Sequence, residues 1–178
     1  MLDTTGWSVS AAHAFRQANA KEMPLVRTAG CSDSGKELLR SSPRDLFPSS
    51  HAPNASFAGL LLYLNCWEEA HNIAQDIPTA DGSYWHAIIH RMEPDAGNSG
   101  YWFRRVGRHA VFPELQARAQ AIAHQHPAAG YDASGDWDPF RFINFCQQAN
   151  AHPGSESERA AIEIQQAEWE LLMRWCHG

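Results

Sequence analysis

The sequence predicts an all-α protein, and three observations lead to this fold class. Over most of residues 56–178, apolar residues recur every three or four positions, which is the period of an amphipathic helix. Prolines, glycines and capping residues fall between the periodic segments, where helices begin and end. No segment alternates apolar and polar residues in the manner of a β-strand. We therefore expect a single-domain, irregular bundle of about six helices over the 178 residues.

Residues 1–55 are the least regular part of this domain. They are predicted to form a loop-rich segment that wraps the helical core of residues 56–178. One helix is expected over Ser8–Ala20 and a short one in the stretch GKELLR. The stretch SSPRDLFPSSHAPN then has the composition of a surface loop. Long loops are uncommon in compact domains, so this one is expected to wrap the core or to cover a pocket.

The core is predicted to begin with one helix that runs from Ser56 to the residue before Pro78. Proline cannot continue the helical hydrogen-bond ladder, so Pro78 ends this helix. Two adjoining rows of residues at helical spacing give it a broad apolar face, and therefore a central position. The first row consists of Leu60, Leu64, Trp67, His71 and Ala74, and the second of Tyr63, Cys66, Ala70, Ile73 and Ile77.

Five further helices are predicted after this one, separated by turn or capping residues. Asn98 is the expected N-cap of one helix and Gly107 its end, while Asp138-Pro139 and Ser155 begin the last two. The expected ranges are Tyr84–Glu93, Ser99–Val106, Pro113–His126, 139–149 and Glu156–Cys176. A loose match of CWEEAHNIAQDI with AGNSGYWFRRVG also leaves TPR-like helix hairpins open as an alternative to a closed bundle.

Composition and charge narrow the classes of partner. The formal net charge is -6, so no overall field favours nucleic acid or an anionic membrane surface. The longest apolar run, residues 57–64, is far too short to cross a bilayer, and the first residues lack the pattern of a signal peptide. The four cysteines form no CxxC pair and are expected to be free thiols. We predict a cytoplasmic protein without nucleic-acid or membrane partners.

The stretch from Tyr84 to Phe112 is the richest of the chain in groups that bind or catalyse. Within it, His86, His90 and Glu93 stand at i, i+4 and i+7, so they point to one side of a helix. Two imidazoles one turn apart, with a carboxylate one turn further, form a candidate site for a divalent metal. HxxxH without an intervening glutamate is not a zincin signature, so a structural network of paired buried charges is the alternative. That network consists of His90, Arg91, Glu93, Asp95 and Arg105.

A small-molecule site is the third interpretation of this stretch. Tyr101, Trp102 and Arg105 share a face of one predicted helix, with Asn98 one turn before Trp102. An aromatic platform beside a guanidinium suits a planar or anionic ligand. His71, on the apolar side of the preceding core helix, is either a core residue or a further member of this region.

Arg105 is the residue on which these interpretations differ most. It follows Tyr101 and Trp102 by one turn, so its phase predicts that it points into the cluster, toward Glu93 or Asp95. In that position it serves either the charge network or a ligand site.

Three segments of the chain resemble a family of uncharacterised bacterial and fungal proteins. They are HNIAQ, GSYWHAIIHRMEPDAGNSGYWFRRVGRHAVF and WDPFRFINFC, and the likeness covers roughly residues 57–150. The core motif of that family is similar to YWHAIxHRxEPDxxNxxYWFRRVGxH, with an arginine expected where this chain has Met92 and a different pair expected at Ser99-Gly100. The family has no assigned activity, so the resemblance implies relatedness without implying a function.

The sequence leaves two classes of function open. In the first, the cluster forms a small-molecule pocket, with or without a divalent metal, that binds or converts a ligand. In the second, the chain is a TPR-like interaction module and the cluster is structural. The ligand-binding candidates are His86, His90, Glu93, Asn98, Tyr101, Trp102 and Arg105, of which His86, His90 and Glu93 are also the metal candidates.

Overall fold

The computed structural model describes residues 2–18, 23–28 and 30–178. Within these ranges it contains ten α-helices, one short 3-10 turn at Pro127–Ala129 and no β-strand, which confirms the all-α fold class. The helices are α1 (Val9–Ala18), α2 (Asp33–Leu38), α3 (Pro43–Leu46), α4 (Pro53–Tyr63), α5 (Trp67–Gln75), α6 (Ala80–Met92), α7 (Ala96–Val106), α8 (Phe112–Gln125), α9 (Pro139–Asn150) and α10 (Glu156–His177).

The segment that precedes α4 is more ordered than the sequence predicted. The stretch expected to be a surface loop contains α3, whose N-cap Ser42 accepts a hydrogen bond from the backbone N–H of Asp45 at 3.2 Å. Phe47 follows α3 and is fully buried, with its ring centroid 5.0 Å from that of Trp7. The N-terminal segment therefore contributes side chains to the hydrophobic core as well as covering it. The predicted helix over Ser8–Ala20 is α1, and its last two residues lie outside the described ranges.

The long helix predicted from Ser56 to Pro78 is wrong, because the chain forms two helices there. The break lies at Asn65, which has a left-handed φ of 61°. Asparagine tolerates this conformation better than most residues, and its apolar neighbours give no sign of it in the sequence. The backbone N–H of Cys66 bonds to Leu61 O at 2.8 Å, and α5 then leaves in a new direction. The separation turns α4 into a buried central helix and places α5 at its side.

A disulfide joins Cys31 to Cys66 at this break, so the prediction of four free thiols is wrong for these two residues. Spacing does not reveal the pair because 35 positions separate the two residues. Two backbone-linked contacts flank it: the N–H of Ser32 donates to Leu64 O at 3.1 Å, and Asn65 Nδ2 donates to Gly30 O at 2.6 Å. Residues 30–32 are thereby fastened to residues 64–66.

The other two cysteines, Cys146 and Cys176, are free and buried. Burial is the main reason why the pKa of Cys146 rises to about 12 and why that of Cys176 also lies well above its ordinary value. Both thiols therefore stay protonated near neutral pH and are chemically inert.

Helix α6 lies at the centre of the molecule. Its residues from Gly82 to Met92 are all buried, because α4, α5 and α7 pack around it. Thr79 caps the helix by accepting a hydrogen bond from Gly82 N at 3.4 Å, so α6 begins about one turn earlier than predicted. At Gly59 of α4, a Cβ atom would lie only 2.5 Å from Trp85 Cζ2, which explains why glycine stands at this contact.

The remaining helices begin and end near their predicted positions. Asp138 and Ser155 are the N-caps of α9 and α10, and their side chains accept the expected backbone hydrogen bonds at 2.9 and 3.2 Å. Gly107 ends α7 with a φ of 64°. The predicted N-cap of α7 is wrong: Asp95 takes that role, and its Oδ1 accepts from the N–H of Asn98 at 3.0 Å. No helix in the described ranges has the length and apolar character needed to span a membrane.

Candidate metal site

Three histidines from two neighbouring helices meet beside α6. His71 comes from α5, while His86 and His90 stand one turn apart on α6. One ring nitrogen from each lies within 4.8 Å of the others, and His86 Nε2 is 2.9 Å from His71 Nε2. The rings of His86 and His90 are stacked, with centroids 4.8 Å apart, and the ring of His71 stands edge-on to both. These residues are named the three-histidine cluster below.

Two of the three residues in this cluster were predicted from the sequence to lie together, and the third was not. His86 and His90 share a face of α6, as their spacing predicted. Glu93, the expected third metal ligand, instead places Oε2 3.3 Å from Nδ1 of His90. His71 occupies the third position, 15 residues before His86. The sequence offered only a weak signal for His71, a polar residue in an otherwise apolar row of α5.

Two tryptophans enclose the cluster. Trp102 of α7 stacks on His86 with ring centroids 4.0 Å apart, and Trp67 of α5 stacks on His71 at 5.2 Å. Trp67 is fixed in turn by its indole N–H, which donates to Ile89 O at 3.4 Å. His86 and His90 are 2 % and 9 % exposed, whereas His71 is half-buried, so solvent reaches the cluster from the side of α5. Indole faces on two sides lower the local polarity and weaken the solvation of any charge within.

Burial keeps two of the three rings uncharged. It is the largest cause of the low pKa of His86, about 3, and the proximity of His71 and His90 lowers that pKa further. The pKa of His90 is also lowered, by burial first and by His71 second, although Glu93 and Asp95 act in the opposite direction. Near neutral pH both rings therefore present a lone pair and one N–H, which is the state that binds a metal ion.

The hydrogen bonds of the cluster are incomplete. A neutral imidazole has one donor and one acceptor nitrogen, and His86 satisfies one of them through its contact with His71. Nδ1 of His86 is buried and has no hydrogen-bond partner. Nδ1 of His90 is buried as well, and Glu93 approaches it at 3.3 Å without the direction of a good hydrogen bond. Unpaired buried nitrogens cost stability, and their presence in a folded protein requires an explanation.

Charged residues form an outer ring around the cluster. Arg27, from the N-terminal segment, lies over the ring of Trp67 at 4.3 Å and pairs its Nη2 with Glu93 Oε1 at 3.6 Å. The prediction that Arg105 points to Glu93 or Asp95 is wrong. Arg105 is exposed and lies over the ring of Trp102 at 5.1 Å, because the indole occupies the inner side of α7. Sequence reasoning missed Arg27, which stands in a segment without helical pattern.

Two further candidates lie away from the three-histidine cluster. Asn98 is exposed, and its side-chain Nδ2 donates to Asp95 Oδ2 at 2.7 Å, so it completes the cap of α7. Tyr101 is 48 % exposed and stands edge-on to Trp102, with centroids 5.4 Å apart. The structure thus brings His86, His90 and Trp102 together, places Glu93 beside them, and leaves Asn98, Tyr101 and Arg105 at the periphery.

A second polar cluster lies on another side of α6 and is fully buried. Arg91 forms an ion pair with Glu168 of α10, and Tyr84 donates its hydroxyl proton to Glu168 Oε1 at 3.0 Å. Gln165 Oε1 accepts from Arg91 Nη2 at 3.3 Å. The guanidinium lies over the ring of Phe142 at 4.5 Å, and its Nη1 has no hydrogen-bond partner. These residues are named the arginine–glutamate cluster; Arg91 therefore does not join the predicted network with Glu93 and Asp95.

Comparisons of the chain with protein-family models, with curated proteins and with solved structures found no match. The resemblance that the sequence suggested therefore stays a prediction. Function is inferred below from the geometry and chemistry of the side chains alone.

Proposed function

We propose that this protein binds a divalent transition-metal ion, with Zn²⁺ the best suited, through His71, His86 and His90. Three histidine nitrogens are an established ligand set for zinc that keeps a further coordination position open. The observation that carries the proposal is the convergence of three ring nitrogens within 4.8 Å of one another, in surroundings that hold His86 and His90 uncharged.

A bound ion accounts for features that a purely structural histidine cluster does not. The ion takes one lone pair from each ring, so the contact between His71 and His86 no longer requires one ring to donate to the other. His90 then carries its proton on Nδ1, where Glu93 is 3.3 Å away. A carboxylate this close to a ligating histidine increases the basicity of the ring, as the carboxylates around zinc sites do. Glu93 thus acquires a supporting role in place of the ligand role first predicted.

The coordination position that three histidines leave open on a zinc ion could bind water or a ligand. A zinc ion with three histidine ligands lowers the pKa of a bound water toward neutrality and polarises a ligand atom that replaces that water. Access is from the half-buried His71, and Arg27 and Arg105 stand over the two tryptophans that flank the cluster. Arg27 shares its charge with Glu93, whereas Arg105 forms no ion pair with any described residue, so the positive charge of Arg105 favours anionic ligands. The proposed function is therefore metal-assisted binding of a small anionic molecule.

Metal titration of the purified protein tests this proposal. After treatment with a chelator, the protein is titrated with Zn²⁺ by calorimetry and with Co²⁺ by absorption spectroscopy. We expect one ion per chain, and we expect His71→Ala, His86→Ala and His90→Ala each to abolish stoichiometric binding. His124→Ala is the matched control, because His124 is exposed on α8 and outside the cluster. Equal binding by all four variants, or no binding by the unaltered protein, would refute the proposal.

A TPR-like interaction module with a structural cluster is the alternative function, and it stays a prediction from the sequence. It is favoured if the protein takes up none of Zn²⁺, Co²⁺, Ni²⁺ and Mn²⁺ while His86→Leu folds normally. The cytoplasmic location and the expected lack of nucleic-acid and membrane partners also remain predictions.

A further inference from the structure

A cavity of about 650 Å³ lies between the end of α7 and the beginnings of α8 and α9. Its volume falls within the range typical of small-molecule sites. No member of the three-histidine cluster lines it. The cavity brings together two segments that the sequence analysis singled out, FRRVGRH at the end of α7 and WDPF at the start of α9. Its chemistry has no part in the proposed metal site.

The walls of this cavity are aromatic. Phe103 and Phe112 line it from α7 and α8, and Trp137 and Phe140 line it from the start of α9 and the residues before it. Phe140 is 39 % exposed, which is unusual for a phenylalanine in a well-packed domain. Flat, apolar walls of this kind suit a planar ring, which stacks or packs edge-on against them.

The rim of the cavity supplies cations. Arg104 and Arg108 line it, both are exposed, and neither forms an ion pair with any of the described residues. Arg104 lies 6.0 Å from the ring of Phe140, so its guanidinium is held near the aromatic wall. Two carboxylates are also present: Asp138 is engaged with the backbone N–H of Phe140 at 2.9 Å, and Asp136 is exposed.

One buried donor in the wall is unpaired. Trp137 is 7 % exposed, and its indole Nε1 has no hydrogen-bond partner. An indole N–H can only donate, and this one has no acceptor among the described residues. His109 also lines the cavity, but Asp81 Oδ1 at 3.0 Å and the N–H of Val111 at 3.3 Å occupy both of its ring nitrogens. His109 therefore belongs to the wall and has no free nitrogen for a ligand.

We propose that this cavity binds a planar aromatic carboxylate. The ring of the ligand lies between the aromatic walls, and its carboxylate pairs with the guanidinium groups of Arg104 and Arg108. A guanidinium holds a carboxylate through two parallel hydrogen bonds, which gives geometric specificity as well as affinity. Asp136 and Asp138 at the same rim disfavour ligands with more than one negative charge.

Binding of 2-naphthoate and of its neutral amide, 2-naphthamide, tests the proposal by calorimetry. We expect one naphthoate per chain and an affinity at least about tenfold higher than that of the amide. The double variant Arg104→Gln/Arg108→Gln should lose this preference. Arg16→Gln/Arg40→Gln is the matched control, since it removes the same charge from two exposed arginines of the N-terminal segment that do not line the cavity. Absent binding, equal affinity for both probes, or an equal effect of both double variants would overturn the proposal.

A second readout locates the probe. The indole N–H resonance of Trp137, assigned by its disappearance in Trp137→Phe, should shift on addition of naphthoate. The resonance of Trp169 should stay in place, because its indole N–H already donates to Gly59 O at 2.8 Å. His90→Ala should bind naphthoate as the unaltered protein does, so the outcome is independent of the metal proposal. A shift at Trp169 with none at Trp137 would place the probe elsewhere and contradict the assignment.

Discussion

Two buried polar clusters contact the same helix, α6. One contains paired charges, and the other contains uncharged rings. The arginine–glutamate cluster carries full charges and pairs them: Arg91 and Glu168 are almost completely inaccessible, and Tyr84 and Gln165 supply further hydrogen bonds. The three-histidine cluster avoids charge, since burial lowers the pKa of His86 and of His90. It also leaves ring nitrogens without partners.

The difference distinguishes a cluster of paired charges from a cluster of neutral rings. In a buried ion pair each charge already has its counter-charge, and removing one member leaves the other charge stranded. Neutral imidazoles that face one another retain lone pairs, which are the groups through which histidine binds a metal ion. Richness in polar residues, which drew attention to residues 84–112, therefore does not identify a site. Both clusters retain an unpaired buried nitrogen, and only the three-histidine cluster combines this with neutral rings whose nitrogens converge.

The largest expected effect is at Glu168. Glu168→Ala leaves the Arg91 charge buried without a counter-charge, and we expect it to lower the free energy of unfolding by about 3–5 kcal/mol. Glu170→Ala is the control: Glu170 pairs with Arg118 at 3.2 Å near the surface, and its loss should cost less than about 1 kcal/mol. Urea unfolding of both variants measures the difference. Similar values for the two would show that the arginine–glutamate cluster is not the structural one.

The double variant Arg91→Met/Glu168→Leu shows whether the loss in Glu168→Ala comes from the stranded charge or from lost packing. Because it removes both charges and keeps apolar volume, it should be more stable than Glu168→Ala. A double variant less stable than the single one would assign the loss to packing rather than to the stranded charge.

An intermediate effect is expected from pH in the metal-free protein. The pKa of His86 is about 3 in the fold against 6.5 for an ordinary histidine, so the unfolded chain binds the proton more readily. The part of the free energy of unfolding that is linked to protonation of His86 is fully present above pH 6.5. It decreases as the pH falls toward 3, by at most about 1.4 kcal/mol per pH unit. His71, His90 and Glu93 share this environment, so the comparison requires a variant.

His86→Leu provides that comparison, since it removes the titrating group along with its unpaired nitrogen. Urea unfolding between pH 7 and pH 4 should show a shallower loss of stability for His86→Leu than for the unaltered protein. At pH 7 its stability should be close to that of the unaltered protein, because the substitution removes the unpaired Nδ1 of His86 but also the contact of His86 with His71. The same slope in both proteins would mean that His86 is not held neutral by the fold.

The smallest expected effect is at Arg105. It is exposed and interacts with the face of Trp102, so Arg105→Ala should lower the free energy of unfolding by less than about 1 kcal/mol. Arg105 lies outside the three histidines that are proposed to hold the ion, so Arg105→Ala should bind Zn²⁺ as the unaltered protein does. A loss comparable to that of Glu168→Ala would restore the original prediction that Arg105 is part of a buried network.

Helices and their caps could be predicted from the sequence more fully than contacts between residues far apart in the chain. The period of the apolar residues predicts α10, and Asp138 and Ser155 mark helix starts that the structure confirms. The break at Asn65 was missed, because apolar spacing continues through it while a single left-handed residue changes the direction of the chain.

The candidate site shows the same limit. His86 and His90 could be paired from their positions on one helix, but His71 joins them only through the packing of α5 against α6. Arg91 and Glu168 are 77 residues apart, and no local pattern relates their charges. Partners of this kind are chosen by tertiary packing, which a periodic pattern does not encode.

The contacts between residues 30–32 and residues 64–66 bear on which of the four cysteines pair. In an unfolded chain all four cysteines are free to react with one another, and several pairings compete. In the folded chain Cys146 and Cys176 are sealed in the interior, while Cys31 and Cys66 are already neighbours. Hydrogen bonds from Ser32 and Asn65 hold that juxtaposition independently of the sulfur atoms. The fold itself thus places Cys31 and Cys66, and not Cys146 or Cys176, in a disulfide, and the bond ties the residue before α5 to the segment before α2.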